Sequence, residues 1–231
     1  MEILLKAFEL IISLDSDLYE IIFLSLKVSI IALFFSVIIG VPVSAVIATN
    51  SFVGKKFLKI VFNSLMALPP VFVGLLLYII FSKSGPLGFF DILYTPVIMI
   101  IAQIIIILPI IISINSENLE TIFKEYEDLF GMLNAKFSHK IKVLLWDARF
   151  SMLTCILAGL GRALSEVGAI IIVGGNIIHF TRVMTTTIAL ETSKGNLSFA
   201  MSLGIILIFI ALILNFIALM VKNFSIKYSY N

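Results

Sequence analysis

Five apolar stretches, at about residues 21–48, 58–81, 96–114, 150–173 and 199–221, do most to limit what this chain can become. Each meets the ~20-residue length that a helix needs to cross the hydrocarbon of a bilayer. With 61% hydrophobic and 13% charged residues, the chain is excluded from the ordinary soluble class. The net charge of +2 is too small to suggest a nucleic-acid partner, and its meaning lies in where the charges fall. Cys155 is the single cysteine; it permits no intrachain disulfide and has no neighbours at metal-ligand spacing.

The expectation is therefore an all-α integral membrane protein, one domain over residues 1–231 with about five transmembrane helices. Residues 1–20 read as a short interfacial helix, with Glu2 and Glu9 in its apolar run and neither the basic region nor the cleavage site of a removed signal. An odd number of spans sets the two ends on opposite sides. Lys55, Lys56 and Lys59 follow the first span; Lys124, Lys136, Lys140, Lys142 and Arg149 follow the third; Lys222 and Lys227 follow the fifth. These links share one side, so the positive-inside rule predicts a multi-pass inner-membrane protein with its N-terminus outside and its C-terminus inside. Pro69 and Pro70 interrupt the second span and Pro109 the third, which predicts kinked helices around a protein-lined or wet cavity. Ser82 to Gly88 reads as a tight external turn.

Residues 117–149 form the one long polar segment. Leu119, Ile122, Phe123, Tyr126, Leu129, Phe130 and Leu133 recur at three-and-four spacing, predicting an amphipathic helix that Gly131 interrupts. Glu120, Lys124, Glu127 and Asp128 occupy the opposite face. Such a helix can rest on lipid, but anionic headgroups would repel its acidic face, which favours docking of the Leu, Phe and Tyr face in a protein groove.

The fourth span holds the strongest chemical signal. Arg162 lies about 18 Å along the helix from Phe150 at ~1.5 Å per residue, near the bilayer centre, and Glu166 is one turn further on the same face. The pair reads either as an ion bridge between helices or as part of a solute path or gate, together with Ser165 and Gly168. Ala158, Gly161, Ser165 and Gly168 form a small-residue stripe able to seat a helix, a second copy or a cavity. Beyond the span, Asn176, Thr181, Arg182, Thr185 and Thr186 combine a guanidinium with polar donors suited to an oxyanion or to a binding-protein contact. No phosphate loop, catalytic constellation or metal cluster is evident, so the chain is expected to be neither an enzyme by itself nor the holder of a cofactor.

These residues resemble the permease subunits of ATP-binding-cassette importers of the molybdate, sulfate and tungstate group. Glu125, Gly131 and Ile141 fall at positions of that family's coupling motif, with Tyr126 and Glu127 where its two alanines stand and Leu144 in place of the usual proline. Leu68-Pro69-Pro70, the turn from Ser84 to Gly88, and the runs Gly161–Ile177 and Thr181–Gly195 are similar to tungstate permeases in particular. The resemblance implies a type I importer permease fold and a cytoplasmic coupling helix within residues 117–149. It also implies two permease copies around one path, cytoplasmic ATPase subunits that use ATP-Mg, and an external binding protein that delivers tungstate. Molybdate or sulfate remains open as cargo, and a passive channel or membrane scaffold is the reading from another class.

Overall fold

The structure, a computed structural model, describes residues 2–13 and 15–229. In chain order the helices are α1 (Glu2–Ile12), α2 (Ser16–Thr49), α3 (Lys55–Met66), α4 (Pro70–Phe81), α5 (Pro96–Met132), α6 (Phe137–Asp147), α7 (Arg149–Leu164), α8 (Gly168–Gly174), α9 (Met184–Ser193) and α10 (Leu197–Ser229). A 3-10 turn, Gly88–Phe90, lies between α4 and α5, and no strand is present among the described residues.

The frame is the pairing of α2 with α5. Along α2, Ser25, Ser29, Ala32, Ser36, Gly40, Ser44 and Ala48 recur every three or four residues, and all are buried. Small side chains on one face let two backbones approach closely. A Cβ on Gly40 would stand 2.8 Å from Ile111 Cγ2. Three apolar layers stack along this seam. Val28, Met99, Ala102 and Val173 share one; Ala32, Leu33, Ile107 and Ile111 share the next; Ala45, Ala48, Leu119 and Phe130 share the last.

Two expected spans are broken. α3 and α4 meet at 96°, because Leu68 precedes a proline and is pushed out of helical geometry, while Pro69 caps α4 and Pro70 occupies its first turn. The fourth expected span, 150–173, ends as α7 at Leu164 and resumes as α8 at Gly168; α6 and α7 are bent by 69°. By length and apolarity α2, α5 and α10 up to Met220 can cross a membrane, or up to five segments can if each bent pair counts as one span. Pro109 sits within the single helix α5. Without an N–H, it leaves the Ile105 carbonyl without its helical donor.

The tight turn is borne out. Gly85 packs so closely that a Cβ there would meet the Ile79 carbonyl oxygen at 2.2 Å. At the other end, residues 117–149 are helical almost throughout. α5 runs past Gly131 to Met132, and α6 starts at Phe137. α10 lies at the edge of the bundle with Ile208, Phe209, Leu212 and Phe216 exposed, as lipid contact requires, and α1 packs against it.

Candidate functional site

The α7–α8 break gathers polar groups from four helices. Arg162, in the last turn of α7, donates from Nη1 to Glu166 Oε2 at 2.8 Å. Glu166 lies in the break itself, 3% exposed, and its Oε1 accepts at 3.0 Å from the Ala169 N–H. That N–H belongs to the first turn of α8, where backbone donors lack helical partners. The Glu166 carbonyl accepts from Thr185 Oγ1 of α9 at 2.7 Å. From α5, Gln103 Nε2 donates to Ala163 O at 3.1 Å and to Ser29 Oγ of α2 at 3.4 Å. The Arg162 side chain is 33% exposed, so the buried carboxylate faces a cation that can be reached from outside the chain.

Ser151, Thr154, Ala158, Gly161 and Ser165 form the exposed face of α7 beside Arg162. Its side chains are small, and the Ser151, Thr154 and Ser165 hydroxyls donate to the backbone carbonyls of Ala148, Phe150 and Arg162, so the cavity beside Ser151, Thr154 and Ala158 has mainly apolar walls. A Cβ on Gly161 would meet nothing within 4 Å, whereas one on Gly168 would stand 2.6 Å from Val71 Cγ2 of α4.

The residues after α8 are placed differently from expectation. Thr181, Thr185 and Thr186 are buried, and their hydroxyls bond inside the chain. Thr181 donates to Gly174 O at 2.5 Å, and Thr186 donates to Asn176 Oδ1 at 2.9 Å. Thr186 ties α9 to the residues after α8, Thr185 ties it to the α7–α8 break, and Thr181 closes the loop between α8 and α9. Arg182 is half-buried, with Nε unpartnered. Beside it, His179 Nδ1 donates to Glu20 Oε2 at 2.6 Å, linking this loop to the start of α2, with Asp17 close by. The Glu20 bond and charge raise the His179 pKa above its ordinary value.

At the opposite end, the amphipathic face is already covered. Leu119 and Phe130 are buried against Ala45, Ala48, Leu144 and Ala148, with Ile122, Phe123, Tyr126 and Ile141 packed on the same cluster. Tyr126 also donates to Asp147 Oδ2 at 2.6 Å. What faces outward is a corner made of Leu129, Met132, Leu133 and Phe137, with Glu125, Glu127 and Gly131 exposed around it. Thus the corner and not the Leu, Phe and Tyr face is the apolar surface open to a partner.

α3 has no buried residue and lies against this part of α5 through polar contacts. Lys59 and Lys55 reach Glu120 at 2.7 and 3.4 Å, and Asn63 bonds Ser113 and reaches Glu117 at 3.5 Å. Lys55, Lys59 and Asn63 recur every four residues, a signal that points to one polar helix face but not to its acidic partner. Gln103 is the other residue missed by sequence reading: one amide in an apolar span announces burial only once the neighbouring helices are known.

No family model matches the chain. It is 36% identical over 209 residues to the tungstate uptake system permease protein TupB of Peptoclostridium acidaminophilum, covering 90% of this chain and 92% of that one. TupB of Campylobacter jejuni is 37% identical over 169 residues, 73% of this chain and 71% of its own. A probable anion ABC transporter permease of Haloferax volcanii is 36% identical over 196 residues, 83% and 84% of the two chains. The chain belongs to the ABC transporter permeases. Its apolar helices and relatives make the permease a multi-pass inner-membrane protein, and the break with Arg162 and Glu166 lies within the stretch that resembles tungstate permeases. Permeases named for molybdenum and sulfate transport match at a lower 28% identity.

Proposed function

We propose that this permease is the membrane subunit of an ATP-driven tungstate importer, pairing with a second copy of itself to form the oxyanion path. The observation that carries the reading is 36–37% identity to two tungstate uptake permeases. The exposed face of small side chains on α7, with Arg162 at its end, supports it chemically. A guanidinium presents planar, charge-assisted donors to a tetrahedral oxyanion, and Glu166 holds it in place until the anion competes. Ser165 and Gly168 flank this gate.

The permease supplies shape and coupling, while partner ATPase subunits bind ATP-Mg. The exposed corner at Leu129, Met132, Leu133 and Phe137, with Glu125, Tyr126, Glu127, Gly131 and Ile141 setting its shape, is the surface for that partner. The lysine-rich end then lies inside, putting the N-terminus outside and the C-terminus inside. Asn176 and Arg182 remain on the outer side, where a tungstate-binding protein delivers cargo. Closure of the ATPases rearranges the bundle between two states.

The test is copurification of the chain with its ATPase and binding protein, followed by ATPase activity with each oxyanion. Stimulation by tungstate-loaded binding protein and not by sulfate establishes the assignment. Stimulation by molybdate or sulfate transfers the cargo to the alternative, and an intact sample with no ATPase partner ends the importer reading.

A further inference from the structure

Behind the Arg162–Glu166 pair, a small, partly open cavity is lined by Ser25, Ser29, Gln103, Glu166, Val183 and Thr185 among others. It leaves about 10 Å³ for the centre of a water-sized sphere, room for one molecule of that size. Gln103 is 4% exposed, and its amide nitrogen is bonded to Ala163 O and Ser29 Oγ. Its Oε1 has no partner. Turning the carboxamide over would set oxygen against the Ala163 carbonyl, so the orientation follows from the bonding and the orphaned atom is an acceptor.

Whatever fills the cavity must donate a hydrogen bond and be no larger than water. Charge decides the rest. Glu166 already accepts from Arg162 and from the Ala169 N–H, so an added cation would leave net charge at membrane depth, and an anion would meet two acceptors. We propose that one water molecule is bound here, donating to Gln103 Oε1 and linking α5 to the α7–α8 break. Its second hydrogen is directed to the remaining acceptors of the wall, Glu166 foremost, since a carboxylate has capacity beyond two bonds. The buried carboxylate thereby keeps a donor on its inner side whenever Arg162 turns to the exposed face. This site is independent of the identity of the cargo.

The experiment is a map of the full chain, alone or with its partners in lipid nanodiscs, at a resolution that shows ordered water. One peak about 2.8 Å from Gln103 Oε1 is expected, retained when sodium is replaced by choline and lost in Gln103→Met. An empty cavity with well-ordered walls overturns the proposal, as does a peak ringed by five or more oxygens that disappears without sodium, which would be a cation. Should Gln103→Met fail to fold, X-ray footprinting of the wild-type chain gives a separate reading. Bound water activated by the pulse should label Leu164 and Val183, both on the cavity wall. Absence of label there, with exposed side chains modified, also overturns the proposal.

Discussion

Replacing Arg162 by Met removes the only side-chain donor to Glu166 among the described residues while keeping a long apolar stem. The carboxylate retains the Ala169 N–H but is otherwise buried. Breaking a buried ion pair costs about 3–5 kcal/mol, whereas exposed pairs contribute about 0.2–1 kcal/mol. With Arg162 33% exposed and Glu166 3% exposed, this pair lies between those limits. The expected cost of Arg162→Met is about 2 kcal/mol, roughly a thirtyfold fall in the folded-to-unfolded ratio. Glu166→Gln retains an acceptor for Ala169 and leaves a guanidinium that water reaches, so about 1 kcal/mol is expected. The double variant should cost about 1 kcal/mol, not the sum, giving a coupling of about 2 kcal/mol. Denaturant unfolding in mild detergent measures the cycle. Coupling below about 0.5 kcal/mol would refute the view that Glu166 is held by Arg162. If the double variant is stable and still takes up tungstate at the wild-type rate, the pair is a brace and no part of the path.

Gly74→Ala should destabilise the bundle by about 1–3 kcal/mol, since the added Cβ would lie 2.8 Å from the Ala169 backbone, while Gly161→Ala, with open space around it, should be neutral to slightly stabilising; thermal unfolding separates the two. The His179 pKa is raised in the folded chain, so its stabilisation is full below the unfolded value of about 6.5 and fades as pH rises through the higher folded value. Melting temperature across that window should fall with pH, and His179→Gln should flatten that component. Lys59→Glu should loosen α3 by setting it against Glu120, and adding Glu120→Lys should restore it only in part, with a salt-sensitive gain of less than about 1 kcal/mol, because Lys55 also pairs with Glu120 and then faces a like charge; cysteine accessibility along α3 reads both steps. At the α5–α6 corner, Leu133→Glu should abolish ATPase copurification while leaving insertion intact, as should Gly131→Pro; unchanged copurification in both would remove the corner from the partner surface.

The apolar stretches made the class of fold legible, because burying a backbone in hydrocarbon leaves so few solutions. The Arg162–Glu166 pair was legible too, as a four-residue spacing at membrane depth. Less visible was the end of α7 at Leu164, since residues 150–173 carry no proline to announce a break; it is sustained by partners that are distant in sequence, Thr185 on Glu166 O and Gln103 on Ala163 O. For the same reason Thr181, Thr185 and Thr186 read as open donors but serve as internal ties. Periodicity located Leu119, Ile122, Phe123, Tyr126 and Phe130 on one apolar face, yet it grouped with them Leu129 and Leu133, which stand exposed at the corner, and it could not say that α2 and α6 already cover the rest.

α5 is one helix of 37 residues, long enough to serve as a lever arm. From Gln103 at the polar break to Met132 at the exposed corner it reaches about 44 Å at ~1.5 Å per residue. A tilt of about 5° around Gln103 would carry the corner by roughly 4 Å over that arm. A displacement the size of one side chain at the partner surface therefore corresponds to a small rotation beside the Arg162–Glu166 pair, and the stroke is geared down toward the membrane interior.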